Sequence, residues 1–81
     1  MKVTVQLFAR ARDLAGAQAV TLDLPDAATV GDLRRALAAR HPSLANLVER
    51  SALAVNNEFA DDALTLPWPA EVALLPPVSG G

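Results

Sequence analysis

The sequence predicts an α+β fold, a mixed sheet of four or five strands carrying one main helix. Three observations support this. Residues 2–8, KVTVQLF, and residues 18–24, QAVTLDL, alternate apolar and polar side chains with the period of a strand. Residues 29–42, TVGDLRRALAARHP, switch to helical spacing. A late apolar run, EVALL at 71–75, ends abruptly at Pro76 and Pro77, which cannot donate to a ladder.

The elements follow in order. In the first run Val3, Val5 and Leu7 share one face, and alternation leaves Phe8 on the polar one. The segment ARARDLAG, closing at Gly16, reads as a turn or loop with room for one helical turn. The second run points Val20, Leu22 and Leu24 inward and closes at Pro25 and Asp26. A short connection between two alternating runs predicts an antiparallel pair. The helix sets Val30, Leu33, Ala36 and Leu37 on one stripe, with the stem of Arg40 continuing it. Thr29 is its N-cap, and Asp32 three residues on makes an imperfect capping box. Arg40 and His41 suit the negative end of the helix dipole, and Pro42 ends it. Leu44, Leu47 and Val48 form a further short helical turn. ALAVN at 52–56 is a third strand, turned at Asn56-Asn57 because asparagine tolerates positive φ. Glu58-Phe59 makes a brief return strand, and residues 61–70 are irregular, with Trp68 anchoring a loop between Pro67 and Pro69. In the last strand Val72 and Leu74 face inward, Ala73 and Leu75 outward. This order is similar to that of ubiquitin-like β-grasp folds. The likeness implies that the first and last strands lie parallel in the middle of the sheet.

Composition narrows the function. The 81 residues make one small domain, with a body over 1–77 and a tail over 78–81. Apolar residues make up 52% of the chain and aromatics only 4%, so the core is built from Leu, Val and Ala. Net charge is −2, which argues against a nucleic-acid partner. The absence of cysteine removes disulfides, thiolate metal sites and a cysteine nucleophile, and one histidine makes a protein zinc site implausible, so no metal is expected. No apolar run is long enough to span a bilayer, and no signal-like segment opens the chain, so a cytoplasmic location without membrane contact is expected. There is no phosphate loop, paired carboxylate motif or nucleophile with a base, so the chain is not expected to catalyse by itself.

The chemistry points instead to the end of the chain. Val78 and Ser79 follow the two prolines, then Gly80 and Gly81. The Pro-Pro pair favours extended backbone directed away from the body. Glycines have no Cβ and can enter a slot too narrow for other residues. The one reactive group there is the Gly81 carboxylate, a poor electrophile until adenylation supplies AMP as a leaving group. The two readings are a carrier that uses its own terminal atom and a plain frayed tail. Phe8 and Leu75 both face outward, and with the first and last strands adjacent they would form one apolar patch for a partner, extended by Phe59.

Four segments together resemble the small, sulfur-carrying subunits of molybdopterin synthase. They are FARARDLAG at 8–16, a match to F-A-x-x-R-[DE]-L-x-G; TVGDLRRAL at 29–37; AVNNEF at 54–59; and EVALLPPVSGG at 71–81. They span nearly the whole chain in the family's order. One departure is Pro67-Trp68-Pro69-Ala70, where the family often has a D-G-D turn.

The resemblance implies a cycle. An E1-like enzyme spends ATP to adenylate Gly81, and a sulfur donor enzyme converts the adenylate to a thiocarboxylate. The tail, Val78, Ser79, Gly80 and Gly81, then enters the active site of a large catalytic subunit and gives sulfur to a pyranopterin precursor. No cofactor stays bound to the carrier. The resemblance also implies a heterotetramer of two small and two large subunits, and partner contacts at Phe8, Phe59, Leu75 and Arg12. The alternatives are a carrier for thiamine thiazole synthesis, a ubiquitin-like modifier conjugated through Gly81, and an interaction domain with an incidental tail.

Overall fold

The computed structural model describes residues 1–76. Nine elements follow one another: β1 (Lys2–Leu7), α1 (Ala9–Ala15), β2 (Ala19–Asp23), α2 (Val30–Arg40), a 3-10 turn (Pro42–Leu44), α3 (Ala45–Arg50), β3 (Ala52–Val55), β4 (Glu58–Phe59) and β5 (Glu71–Leu75). The five strands form one mixed sheet in the order β2-β1-β5-β3-β4. β1 pairs antiparallel with β2 and parallel with β5, and β3 pairs antiparallel with both β5 and β4. The first and last strands are therefore neighbours inside the sheet, which is the β-grasp topology.

The alternation in the sequence becomes a two-sided sheet. Val3, Val5, Leu7, Leu22, Leu53, Val55, Val72 and Leu74 are buried on one face. Val30, Leu33 and Leu37 of α2 cover them, with Leu44, Leu47 and Val48 completing the core. Val20 is only partly buried. Lys2, Thr4, Gln6 and Glu71 stay exposed on the other face.

The start of α2 is tied down twice. The capping box is complete: the Asp32 N–H donates to Thr29 Oγ1 (3.1 Å), and the Thr29 N–H donates to Asp32 Oδ2 (2.9 Å). The Val30 and Gly31 N–H groups, which no helix turn can satisfy, donate to the carbonyls of Leu64 (2.8 Å) and Asp62 (2.9 Å). A Cβ on residue 31 would lie 3.3 Å from both the Asp62 carbonyl oxygen and its Cβ, so glycine permits this approach.

Several expectations need correction. Residues 9–15 form two turns of helix, not a loop. Gly16 caps them in the left-handed region at φ 68°, its N–H donating to the Arg12 carbonyl, and Ala11 packs into the core. Arg40 is exposed and takes no part in the α2 stripe. The arginine folded against the body is Arg34, one helical position from the apolar stripe. Its Nη1 donates to the carbonyls of Val48 (2.5 Å) and Ser51 (2.8 Å), and its Nε to Asp62 (3.1 Å). Trp68 anchors nothing: it is 71% exposed, and the loop is held by buried Leu66, whose N–H donates to the Ala28 carbonyl (2.9 Å). The asparagine turn is as expected, with Asn56 and Asn57 both at positive φ.

Candidate functional site

The face of the sheet opposite α2 has no layer over it among the described residues, and it is polarised along the strands. β1 and β5 are parallel, so one end of this face carries the starts of both strands and the other carries their ends. Lys2, Thr4 and Glu71 occupy the first end, beside Asp23 and Thr21 of β2. The second end is apolar.

Leu7 stands opposite Leu74 in the parallel ladder. Phe8 continues in extended conformation, at φ −131° and ψ 154°, so it leaves the ladder beside Leu75. Both side chains project to the uncovered face, because each follows a core residue by one position. Phe8 is 45% exposed and Leu75 half-buried, as expected for adjacent apolar groups at a surface. Ala52 lies opposite Leu75 on β3.

Phe59 joins by a different route. It pairs with Ala54, which pairs with Ala73 of β5. This row runs across the same face, so Phe59 stands two strands from Leu75 over a floor of Ala52, Ala54 and Ala73. At 78% exposure it is the most exposed large apolar residue among those described. The fold therefore gathers Phe8 and Leu75 directly and sets Phe59 across a shallow alanine floor. The patch surrounds the point where β5 ends and the chain passes to Pro76.

Arg12 lies one turn beyond Phe8 on α1, at the same end of the molecule, and is exposed. No carboxylate pairs with it among the described residues. Val78, Ser79, Gly80 and Gly81 lie outside the described residues, as does Pro77 at the boundary between body and tail.

Elsewhere the described residues hold little chemistry. No group of three His, Cys, Asp or Glu is placed to hold a metal ion, and no helix is long and apolar enough to cross a membrane. One carboxyl is perturbed. Asp32 is held below the usual aspartate range, first by the Thr29 backbone N–H, then by the Thr29 hydroxyl and Arg35. That is a helix cap, not an active site. α1 is the element that sequence reasoning missed near the patch. Its signal was present in the glycine after ARARDLA, a run of good helix formers.

The chain is similar to known proteins along its whole length. A molybdopterin synthase sulfur carrier subunit from Arabidopsis thaliana is 36% identical over 81 residues, spanning all of this chain and 84% of its own length. Small archaeal modifier protein 1 from Haloferax volcanii is also 36% identical, over 94% of this chain and 97% of its own. A crystal structure of SAMP1 from Haloferax volcanii superposes with a TM-score of 0.85 at 32% identity, over the whole of both chains. The family model itself matches from β1 to the last residue, over 5–81, and so the chain belongs to the ThiS family.

Proposed function

We propose that this chain is the sulfur carrier of a molybdopterin synthase, acting in the cytoplasm and carrying sulfur on the Gly81 carboxyl group. The observation that supports the reading most is the match to the ThiS family through residue 81, together with an apolar patch around the end of β5. The curated relatives named for molybdopterin synthase favour this pathway over thiazole synthesis.

The chemistry runs in three steps. The Gly81 carboxylate attacks the α-phosphorus of ATP on an E1-like enzyme, pyrophosphate leaves, and an acyl adenylate forms. Hydrosulfide delivered by a donor enzyme attacks the acyl carbon, AMP leaves, and loss of the proton gives the thiocarboxylate. On the large subunit the thiocarboxylate sulfur attacks a carbon of the pyranopterin precursor, an oxygen substituent of that carbon leaves, and water then cleaves the acyl–sulfur bond, restoring the Gly81 carboxylate and leaving the sulfur on the precursor. The carrier contributes no general acid or base. Phe8, Leu75 and Phe59 dock the body on each partner in turn, with Arg12 at the rim, and the glycines pass through the partner's channel. The working assembly holds two small and two large subunits.

A second reading has support from the archaeal relative, whose name describes a modifier. In that reading a lysine amine of a target attacks the same adenylate, AMP leaves, and an isopeptide bond forms.

Intact mass after co-expression with the activating enzyme and sulfur donor separates the two. The carrier reading expects a gain equal to the difference between sulfur and oxygen. A ladder of protein-sized adducts supports the modifier reading. Deletion of Gly81, or one residue added after it, is expected to abolish transfer and leave the melting curve unchanged. Retained transfer with the added residue would refute the carrier reading.

A further inference from the structure

The uncovered face does not end at the apolar patch. At its opposite end the chain enters β5 through Pro67, Trp68, Pro69 and Ala70. Trp68 and Pro69 form one wall of an open groove of about 420 Å³, and Lys2, Thr4 and Gln6 of β1 form another. Gln6 shares a row with Ala73 and Ala54, the floor of the patch. Groove and patch are thus parts of one continuous surface.

We propose that the Trp68–Pro69 turn is a second anchor for the large subunit that docks on Phe8 and Leu75, gripping an apolar ridge of that partner at the far end of the sheet. The inference rests on the carrier reading. Three arguments support it. The first is area. Strands of two to six residues spaced about 4.8 Å apart present a face of roughly 350 Å² in projection. A stable interface takes about 800 Å² from each partner. Beyond what the inserted tail contributes, a partner seated at the Phe8 end gains area by extending along the face toward the turn.

The second is residue type. Trp68 is 71% exposed, and it sits between two prolines that fix the backbone on either side. A large ring with two side-chain torsions, on a rigid turn, loses little freedom on binding, and tryptophan is enriched among residues that dominate interfaces. The third is its support. Asn56 ties the turn to the β3–β4 connection, its Nδ2 donating to the Pro69 carbonyl (3.3 Å) while its Oδ1 accepts from the Glu71 N–H (2.8 Å). The turn is built onto the sheet, beside a rim of charged Lys2, Asp23 and Glu71.

Trp68 is the chain's single tryptophan, so it reports on itself. The carrier would be labelled with fluorotryptophan and titrated with the unlabelled large subunit, following the one fluorine resonance. The resonance is expected to shift on saturation, and Trp68→Ala to weaken binding at least tenfold with an unchanged circular dichroism spectrum. Leu75→Glu serves as the control. An unmoved resonance, in a complex that Leu75→Glu abolishes, overturns the Trp68 inference and leaves the docking face standing. Affinity indifferent to Leu75→Glu overturns the docking face and this inference with it. A resonance that moves with the carrier's own concentration, without the subunit, assigns the groove to a second copy and also overturns the proposal.

Discussion

Arg34→Met is expected to destabilise the protein more than any other single change at a charged residue. Arg34 leaves α2 on the side facing α3 and closes three contacts at once. Its Nη1 meets the carbonyls of Val48 and Ser51, where α3 ends and β3 is about to begin. Its Nε and Nη2 meet Asp62, the residue whose carbonyl also caps α2. A carbonyl at a helix C-terminus has no partner within the helix. Hydrogen bonds to a charged group contribute about 1.5–3 kcal/mol each. The Arg34 side chain is 21% exposed, so water replaces part of what is lost. The Val48 carbonyl also keeps a 3.3 Å bond from the Ser51 N–H. Counting the two carbonyl bonds at about half value gives a loss of roughly 1.5–3 kcal/mol. The Asp62 pair is exposed and adds no more than about 1 kcal/mol. Methionine keeps the aliphatic stem, so packing changes little. In a domain this small, such a loss lowers the melting midpoint by on the order of 10–20 °C. Urea and thermal melts of Arg34→Met and Asp62→Ala measure both terms. The expectation is a large loss for the first and a small one for the second. Equal losses, or an Arg34→Met midpoint within about 2 °C of wild type, would refute the argument that the two carbonyls depend on Arg34.

Further expectations follow from the core and the cap. Leu33→Ala removes a fully buried side chain where α2 crosses the sheet and is expected to cost about 2–5 kcal/mol, while Phe8→Ala costs no more than about 1 kcal/mol. Denaturant melts compare them, and equal large losses would show that Phe8 belongs to the core. Asp32→Asn tests the cap through pH. The folded carboxyl is depressed, so its contribution is present above the ordinary aspartate value of 3.8 and is lost as pH falls through the lower folded value. The stability gap between wild type and Asp32→Asn is expected to be full at neutral pH and to shrink in acid, and a gap constant with pH would contradict the assignment.

The strand faces, the main helix, its cap and the asparagine turn were legible in the sequence because each is a local pattern. Alternation at Val3, Val5 and Leu7 fixes which side of β1 is buried whatever strand lies beside it. The Thr29–Asp32 spacing places two groups within one turn. The position of Phe8 on the uncovered face followed from the same alternation, and so did that of Leu75. What alternation could not supply was adjacency. Phe8 and Leu75 are 67 positions apart in the chain, and only the parallel pairing of β1 with β5 sets them side by side. Arg34 was unreadable for the same reason. It differs from Arg35 and Arg40 only in facing the end of α3, and that depends on how two helices pack. The helix at 9–15 was missed because a single buried residue, Ala11, leaves almost no periodicity to detect. Trp68 was misjudged by composition: a large aromatic between prolines suggests burial, yet Leu66 had already filled the space beneath the loop. What each element presents on each face is written in its own residues. Which faces meet is fixed only once the chain is folded, because pairing, helix docking and the occupation of a cavity are contests between residues distant in the chain.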